Sequence, residues 1–205
     1  MYKKEYEMSY WKQYRLLEQE FLQSRMYVEF DVTNFRTIST AYIKMLLEIG
    51  SEVDNVMREM CSLTGRSNIT DYAVYILGKY PNIVSQKVTV IDSSISIIPF
   101  IGWNTSYASQ SLSFWQAYNH IKHDRIANRV EASFENVLNA LGGLFILEMY
   151  RFSELYVTDV DVAINMPEDD SKIFLLDAWE THMRPLKIRS SYPIFNDDNN
   201  KKKLL

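Results

Sequence analysis

Apolar positions advance by threes and fours through most of this chain, the period of helices that keep one face in a core. Over residues 5–28, Trp11, Tyr14, Leu17, Phe21 and Leu22 recur between Lys, Arg, Gln and Glu, which predicts one amphipathic helix. The clearest helix follows over 35–63, where Phe35, Ile38, Tyr42, Met45, Ile49, Val53, Val56, Met60 and Leu63 hold the stripe. Asp31, Thr33 or Asn34 can cap its start, and Gly65 stands where a helix commonly ends. A short helix over 70–79 runs up to Pro81. The period then changes to two: Val88 and Val90 alternate with Lys87 and Thr89, and Ile95 and Ile97 with Ser94 and Ser96. With Asp92 and Ser93 between them, these predict a small hairpin over 87–98. Pro99 and Gly102 mark a loop, and a helix over 110–126 comes next. The last strong helix, over 131–156, carries Phe134, Val137, Leu138, Leu141, Phe145 and Leu147 on its stripe. Its interior pair Gly142-Gly143 costs roughly 1 kcal/mol each against alanine, so a close neighbour is expected there, another helix or a second subunit.

Beyond Thr158 the pattern weakens. A short strand through Val160, Val162 and Ile164, a helix over 174–182 and a frayed, lysine-ended tail are the expectations. The predicted fold is all-α, a helical bundle with a small β-hairpin insertion, in which the helices near 35–64, 110–126 and 131–156 share one core. Residues 1–156 form its helical domain and 157–205 a partly ordered C-terminal extension.

Composition narrows the functional classes. At 205 residues, 47% apolar and 14% aromatic, with six glycines and five prolines, the chain can bury a core and is unlike a disordered or fibrous one. A net charge of -4 argues against coating nucleic acid or anionic membrane by bulk electrostatics, so any RNA contact must be local. The single cysteine, Cys61, lies among Val53, Val56, Met57 and Met60, where a buried, inert thiol is expected, and a reducing cytoplasm fits best. No apolar stretch approaches the ~20 residues of a membrane helix, and the start lacks the apolar run of a signal peptide.

Chemistry is concentrated in 114–125. This stretch holds two of the three histidines, His120 and His123, with Lys122, Arg125 and, just beyond, Arg129. On a helix, Asn119 and His123 lie one turn apart with Lys122 beside them and Trp115 a turn below, while Tyr118, Lys122 and Arg125 form an adjacent strip. Phe114, Ala117 and Ile121 face the other way. Such a face has the parts to hold a phosphodiester: cations, a directional amide and an imidazole that exchanges protons near neutrality. Gly-rich phosphate loops, paired-cysteine metal sets and nucleophile-elbow serines do not occur. A metal on His120 and His123, with Asp124 above, is disfavoured because the two rings diverge around the helix. No cofactor is expected.

The Asn-x-x-x-His spacing of Asn119 and His123, within a Tyr-Asn-x-x-Lys-His-x-Arg string, resembles the HEPN superfamily (higher eukaryotes and prokaryotes nucleotide-binding), over roughly residues 10–156. The family motif runs Arg, a polar residue, then His, on a helix that faces its twin across a homodimer. The resemblance implies an RNA-directed protein, in its strong form a metal-independent endoribonuclease of a toxin or phage-defence type. Asn119 matches the polar position and His123 the histidine, while Tyr118 stands where the family has arginine. Catalysis would fall to His123 and Asn119, with Lys122 and Arg125, which the helix geometry and not the family pattern sets beside Tyr118, supplying the missing positive charge, and RNA binding to Tyr118, Trp115 and His120. A homodimer, RNA and an antitoxin or other protein are the implied partners.

Structural roles compete with each of these. Lys122, His123 and Arg125 also suit the negative end of a helix dipole. Trp115 and Tyr118 also suit a core or an interface, and Asn119 suits a bond to a neighbouring helix. Glu48, Glu52 and Glu59 read as solvated surface, unless Glu48 or Glu52 pairs with the cationic helix. The same face thus also fits a non-catalytic helical dimerisation or protein-interaction module.

Overall fold

The computed structural model describes residues 3–63, 65–158 and 170–176. Helix α1 (Lys3–Tyr6), a π turn (Glu7–Trp11) and α2 (Lys12–Gln23) follow one another without a break, so the first predicted helix is present with a widened turn in it. Its apolar residues Trp11, Tyr14, Leu17 and Phe21 are all buried.

The second helix, α3 (Thr40–Met60), starts later than the pattern suggests. Ser39, not Asp31, Thr33 or Asn34, caps it, accepting from Tyr42 N at 3.0 Å. The reason lies at α6 (Phe134–Thr158), whose first amides need acceptors that no helix supplies to itself. Phe134 N donates to Thr37 O at 2.8 Å and Glu135 N to Phe35 O at 3.1 Å, and Ile38 bridges Ser133. The segment 35–38 is thereby tied to the start of α6 and kept out of α3. At the other end α3 stops before Gly65, with Ser62 already in the left-handed region at φ 50°. Cys61 closes the helix, buried as expected, and burial pushes its thiol pKa up to about 12.

Helix α4 (Ile69–Lys79) opens with a capping box made by Asn68 and Asp71. Strands β1 (Val88–Val90) and β2 (Ser96–Ile97) form the predicted hairpin, turning at Asp92 with φ 57°. A third strand, β3 (Phe174–Leu176), pairs antiparallel with the other edge of β1, Val88 opposite Leu176 and Val90 opposite Phe174. The helix expected from 174 is therefore a strand at its start. Phe174 and Leu176 are buried and Leu175 is not, a two-residue alternation too short to stand out in the sequence. Glu18 holds this segment to α2: its buried carboxylate accepts from Tyr14 Oη at 2.9 Å, Lys172 N at 2.8 Å and Ile173 N at 3.2 Å, and from Ser171 Oγ. The strand expected at Val160, Val162 and Ile164 and the frayed tail lie outside the described residues.

The chain is thus mostly helical with a small three-stranded antiparallel sheet. Helix α3 packs most extensively against α6, and α2 and α5 (Ser113–His123) each pack on both. At the centre Phe21 stacks on Phe134 with centroids 5.7 Å apart, and Phe30 and Tyr42 close around them. Among the described residues no helix is long and apolar enough to cross a membrane.

Candidate functional site

Helix α5 is fixed in the fold through two glycines on its neighbours. Phe114, Ala117 and Ile121 turn inward as the pattern requires. Phe114 lies so close to Gly143 of α6 that a Cβ there would stand 2.9 Å from its ring tip, which explains half of the glycine pair. Gly142 instead meets Ile97 and Pro99 of the hairpin side. On the other flank the ring of Tyr118 covers Gly50 of α3, where a Cβ would come within 2.3 Å of ring carbon Cδ2. The sequence signal for Gly50 is faint: a glycine inside a long helical stripe, with the same cost as each of the Gly142-Gly143 pair.

These contacts change the reading of the polar face. Tyr118 is only 5% exposed and Trp115 6%, with ring centroids 5.2 Å apart, so both belong to the core and neither offers an open stacking surface. The rim of Tyr118 still reaches outward: its hydroxyl accepts from Lys122 Nζ at 3.1 Å, and the ammonium sits 5.1 Å from the ring centroid. Asn119 donates to Trp115 O one turn back at 2.9 Å, a bond within its own helix and not to a neighbour. His120 places Nδ1 3.5 Å from Glu131 Oε1.

The helix ends earlier than expected. Asp124 leaves helical geometry at φ -150°, and its Oδ1 accepts from Ile126 N at 3.1 Å and Ala127 N at 3.0 Å. Asn128 closes the end by donating to His120 O at 3.2 Å and Asp124 O at 2.8 Å. Arg125 consequently lies on the loop after α5, so the strip of Tyr118, Lys122 and Arg125 is broken after Lys122. What the structure brings together is an exposed cluster at the C-terminal end of α5: Lys122 and His123 on the last turn, Arg125 and Arg129 on the loop. None of the ion pairs among the described residues involves any of the four. Exposed Ile126 and Val130 stand among them.

The acids of α3 do not serve this cluster. Glu48 is exposed beside Lys44, at 3.7 Å, while Glu52 and Glu59 are largely buried where solvated side chains are expected from the sequence. Their stripe faces the π turn and α6, because α3 is covered along more of its circumference than one amphipathic face implies. Comparison with protein families, curated proteins and solved structures finds no match to this chain.

Proposed function

We propose that this chain is a cytoplasmic, HEPN-like helical bundle that binds RNA through the C-terminal end of α5 and cleaves it without a metal. The observation that carries the reading is the gathering of exposed, carboxylate-free cations next to a histidine at one helix end. Lys122, Arg125 and Arg129 are exposed at the same helix end as His123 with no carboxylate partner among the described residues, whereas Arg15, Lys44, Arg58, Lys79 and Arg151 pair with carboxylates and the other exposed cations without one, such as Lys12, Arg36 and Arg66, stand far from any histidine in the sequence. Cations without carboxylate partners, flanking a histidine, suit a phosphodiester, whose charge they balance while the ring moves protons.

In this mechanism His123 removes the proton of a 2'-hydroxyl, which attacks the adjacent phosphorus, and a cyclic phosphate end forms as the 5'-oxygen leaves. Lys122 and Arg125 stabilise the charge that gathers on the phosphoryl oxygens. Asn119 orients the phosphate only after giving up its bond to Trp115 O. A homodimer would set two such helix ends together and supply the cation that Tyr118, covering Gly50, does not.

Incubating the full chain with single-stranded RNA tests this. Wild-type protein should leave cyclic phosphate ends with or without a chelator. His123→Ala should lose ~10²- to 10⁴-fold in rate while melting at the same temperature. Cleavage that survives the substitution would overturn the assignment.

A second reading is favoured by Ile126 and Val130, exposed among the cations, and by the inward-turned amide of Asn119. On that reading the end of α5 is a non-catalytic surface for a second copy or for an antitoxin-like protein. It predicts a stable dimer or heteromeric complex and no RNA affinity.

A further inference from the structure

Cleavage of a phosphodiester by a neighbouring hydroxyl needs two proton transfers. One takes the proton of the attacking 2'-oxygen, and the other supplies a proton to the departing 5'-oxygen on the far side of the phosphorus. His123 meets the first need. For the second, α5 offers another exposed imidazole one turn earlier.

His120 lies three positions before His123, so the two side chains leave adjacent strips of α5 with about 5–6 Å between their Cβ atoms. Their divergence around the helix, which defeats a shared metal ion, suits two groups that must reach opposite ends of one displacement. The His120 side chain is 50% exposed, and Glu131 Oε1 stands 3.5 Å from its Nδ1. Because Nδ1 and Nε2 lie on opposite edges of the ring, a carboxylate at Nδ1 turns Nε2 away from Glu131 and fixes which nitrogen is free to act.

The carboxylate is held in turn. Asn136, on the first turn of α6, donates through Nδ2 to Glu131 O at 2.8 Å and to Glu131 Oε2 at 3.4 Å. Asn136 is itself anchored by donating its backbone N–H to Ser133 Oγ at 3.2 Å. The backbone of His120 is tied to the same loop, since its carbonyl accepts from Asn128 Nδ2 at 3.2 Å. Imidazole, carboxylate and amide thus form a chain that runs from α5 through the turn Arg129–Glu131 to α6. His123 has no carboxylate behind it, and Lys122 and Arg125 are its neighbours along the chain. A ring that carries both protons is a cation, and Glu131 balances that charge at His120 but not at His123. That difference separates the proton donor from the proton acceptor.

We propose that His120 is the general acid of the cleavage, with Glu131 as its positioning residue, a role that rests on the action on RNA inferred above. His123 takes the proton of the 2'-hydroxyl as the 2'-oxygen bonds to phosphorus. The bond from phosphorus to the 5'-oxygen breaks, its electron pair stays on that oxygen, and the Nε2 proton of His120 passes to it. A 2',3'-cyclic phosphate and a free 5'-hydroxyl result, and exchange with water returns each ring to its starting state.

Two single-stranded RNA substrates test this with the full chain: an ordinary one, and one whose scissile 5'-oxygen is replaced by sulfur, which departs without a proton. Wild type should cleave both. His120→Ala should slow the ordinary substrate ~10²- to 10⁴-fold and leave the sulfur substrate near the wild-type rate, whereas His123→Ala should slow both. Glu131→Ala should give the His120→Ala pattern in weaker form. If the alanine variant at position 120 folds poorly, His120→Gln gives the same comparison, because an amide cannot supply the proton. A His120 variant that is slowed equally on both substrates, or on neither, would overturn this role while leaving the action on RNA in place. A wild type that cleaves neither substrate would remove both together.

Discussion

At the end of α5 the charges stand in water without carboxylate partners, and beside α3 they stand in the protein with too few. Lys122, His123, Arg125 and Arg129 cost the fold little, because water solvates them whether or not anything binds. Glu52, Glu59, Glu148 and Glu154 are packed between α3 and α6, with Arg151 and Lys79 as the cations that pair with any of them among the described residues. The difference teaches where substitutions will register: as stability in the acidic region, and as binding at the end of α5.

The largest effect should come from Arg151→Ala. It leaves two mostly buried carboxylates, Glu59 at 13% and Glu154 at 12% side-chain exposure, without their shared cation, and a loss of about 3–5 kcal/mol in denaturant unfolding is expected. A loss below about 1 kcal/mol, the range of exposed pairs, would mean that water reaches these groups and would dissolve the contrast. Next comes Gly50→Ala. The new methyl group meets the base of the Tyr118 ring rather than a flexible tip, so overpacking of about 1–3 kcal/mol outweighs the gain in helix propensity. A stabilised variant would show that α5 can move away from α3 freely.

Glu148→Gln should act in the opposite direction. Its carboxyl, facing Tyr6, Glu52 and Glu59, holds a proton in the folded chain that the unfolded chain releases around the ordinary value of 4.5. Stability present below that pH is therefore lost as the pH rises toward the raised folded value. The variant should be more stable than wild type near neutrality, with the gap closing on acidification. A gap that stays constant with pH would show that Glu148 is not the group responsible. Smallest of all, Lys122→Ala and Arg125→Ala should each change stability by no more than about 0.5 kcal/mol in the same unfolding measurement.

The parts of this fold that are long and periodic are legible in the sequence. The stripes of α3 and α6, the hairpin and the tight approach at Gly143 all follow from spacing alone. Periodicity misplaces the start of α3 because Phe35 and Ile38 keep the helical period while their backbone is taken by the first turn of α6, a partnership no local pattern encodes. Strand β3 is hidden for the same reason, since its partner β1 lies far away in sequence. At the end of α5 the residue types are legible but their neighbours are not. Tyr118 and Trp115 are amphipathic, and only Gly50 across the helix pair decides that Tyr118 faces inward. Glu148 sits in the run Leu144-Phe145-Ile146-Leu147-Glu148-Met149, and one carboxylate among so many apolar residues is the signal that marks the buried acids.

The salt dependence of RNA binding tests the central claim most directly. Affinity of the full chain for a single-stranded RNA should fall linearly with salt on logarithmic axes. Removing both Lys122 and Arg125 should weaken binding and make the slope shallower by about 0.7 for each phosphate no longer neutralised. No measurable RNA affinity at low salt, or a double variant with the wild-type slope, would contradict the account and leave the end of α5 as a protein-binding surface.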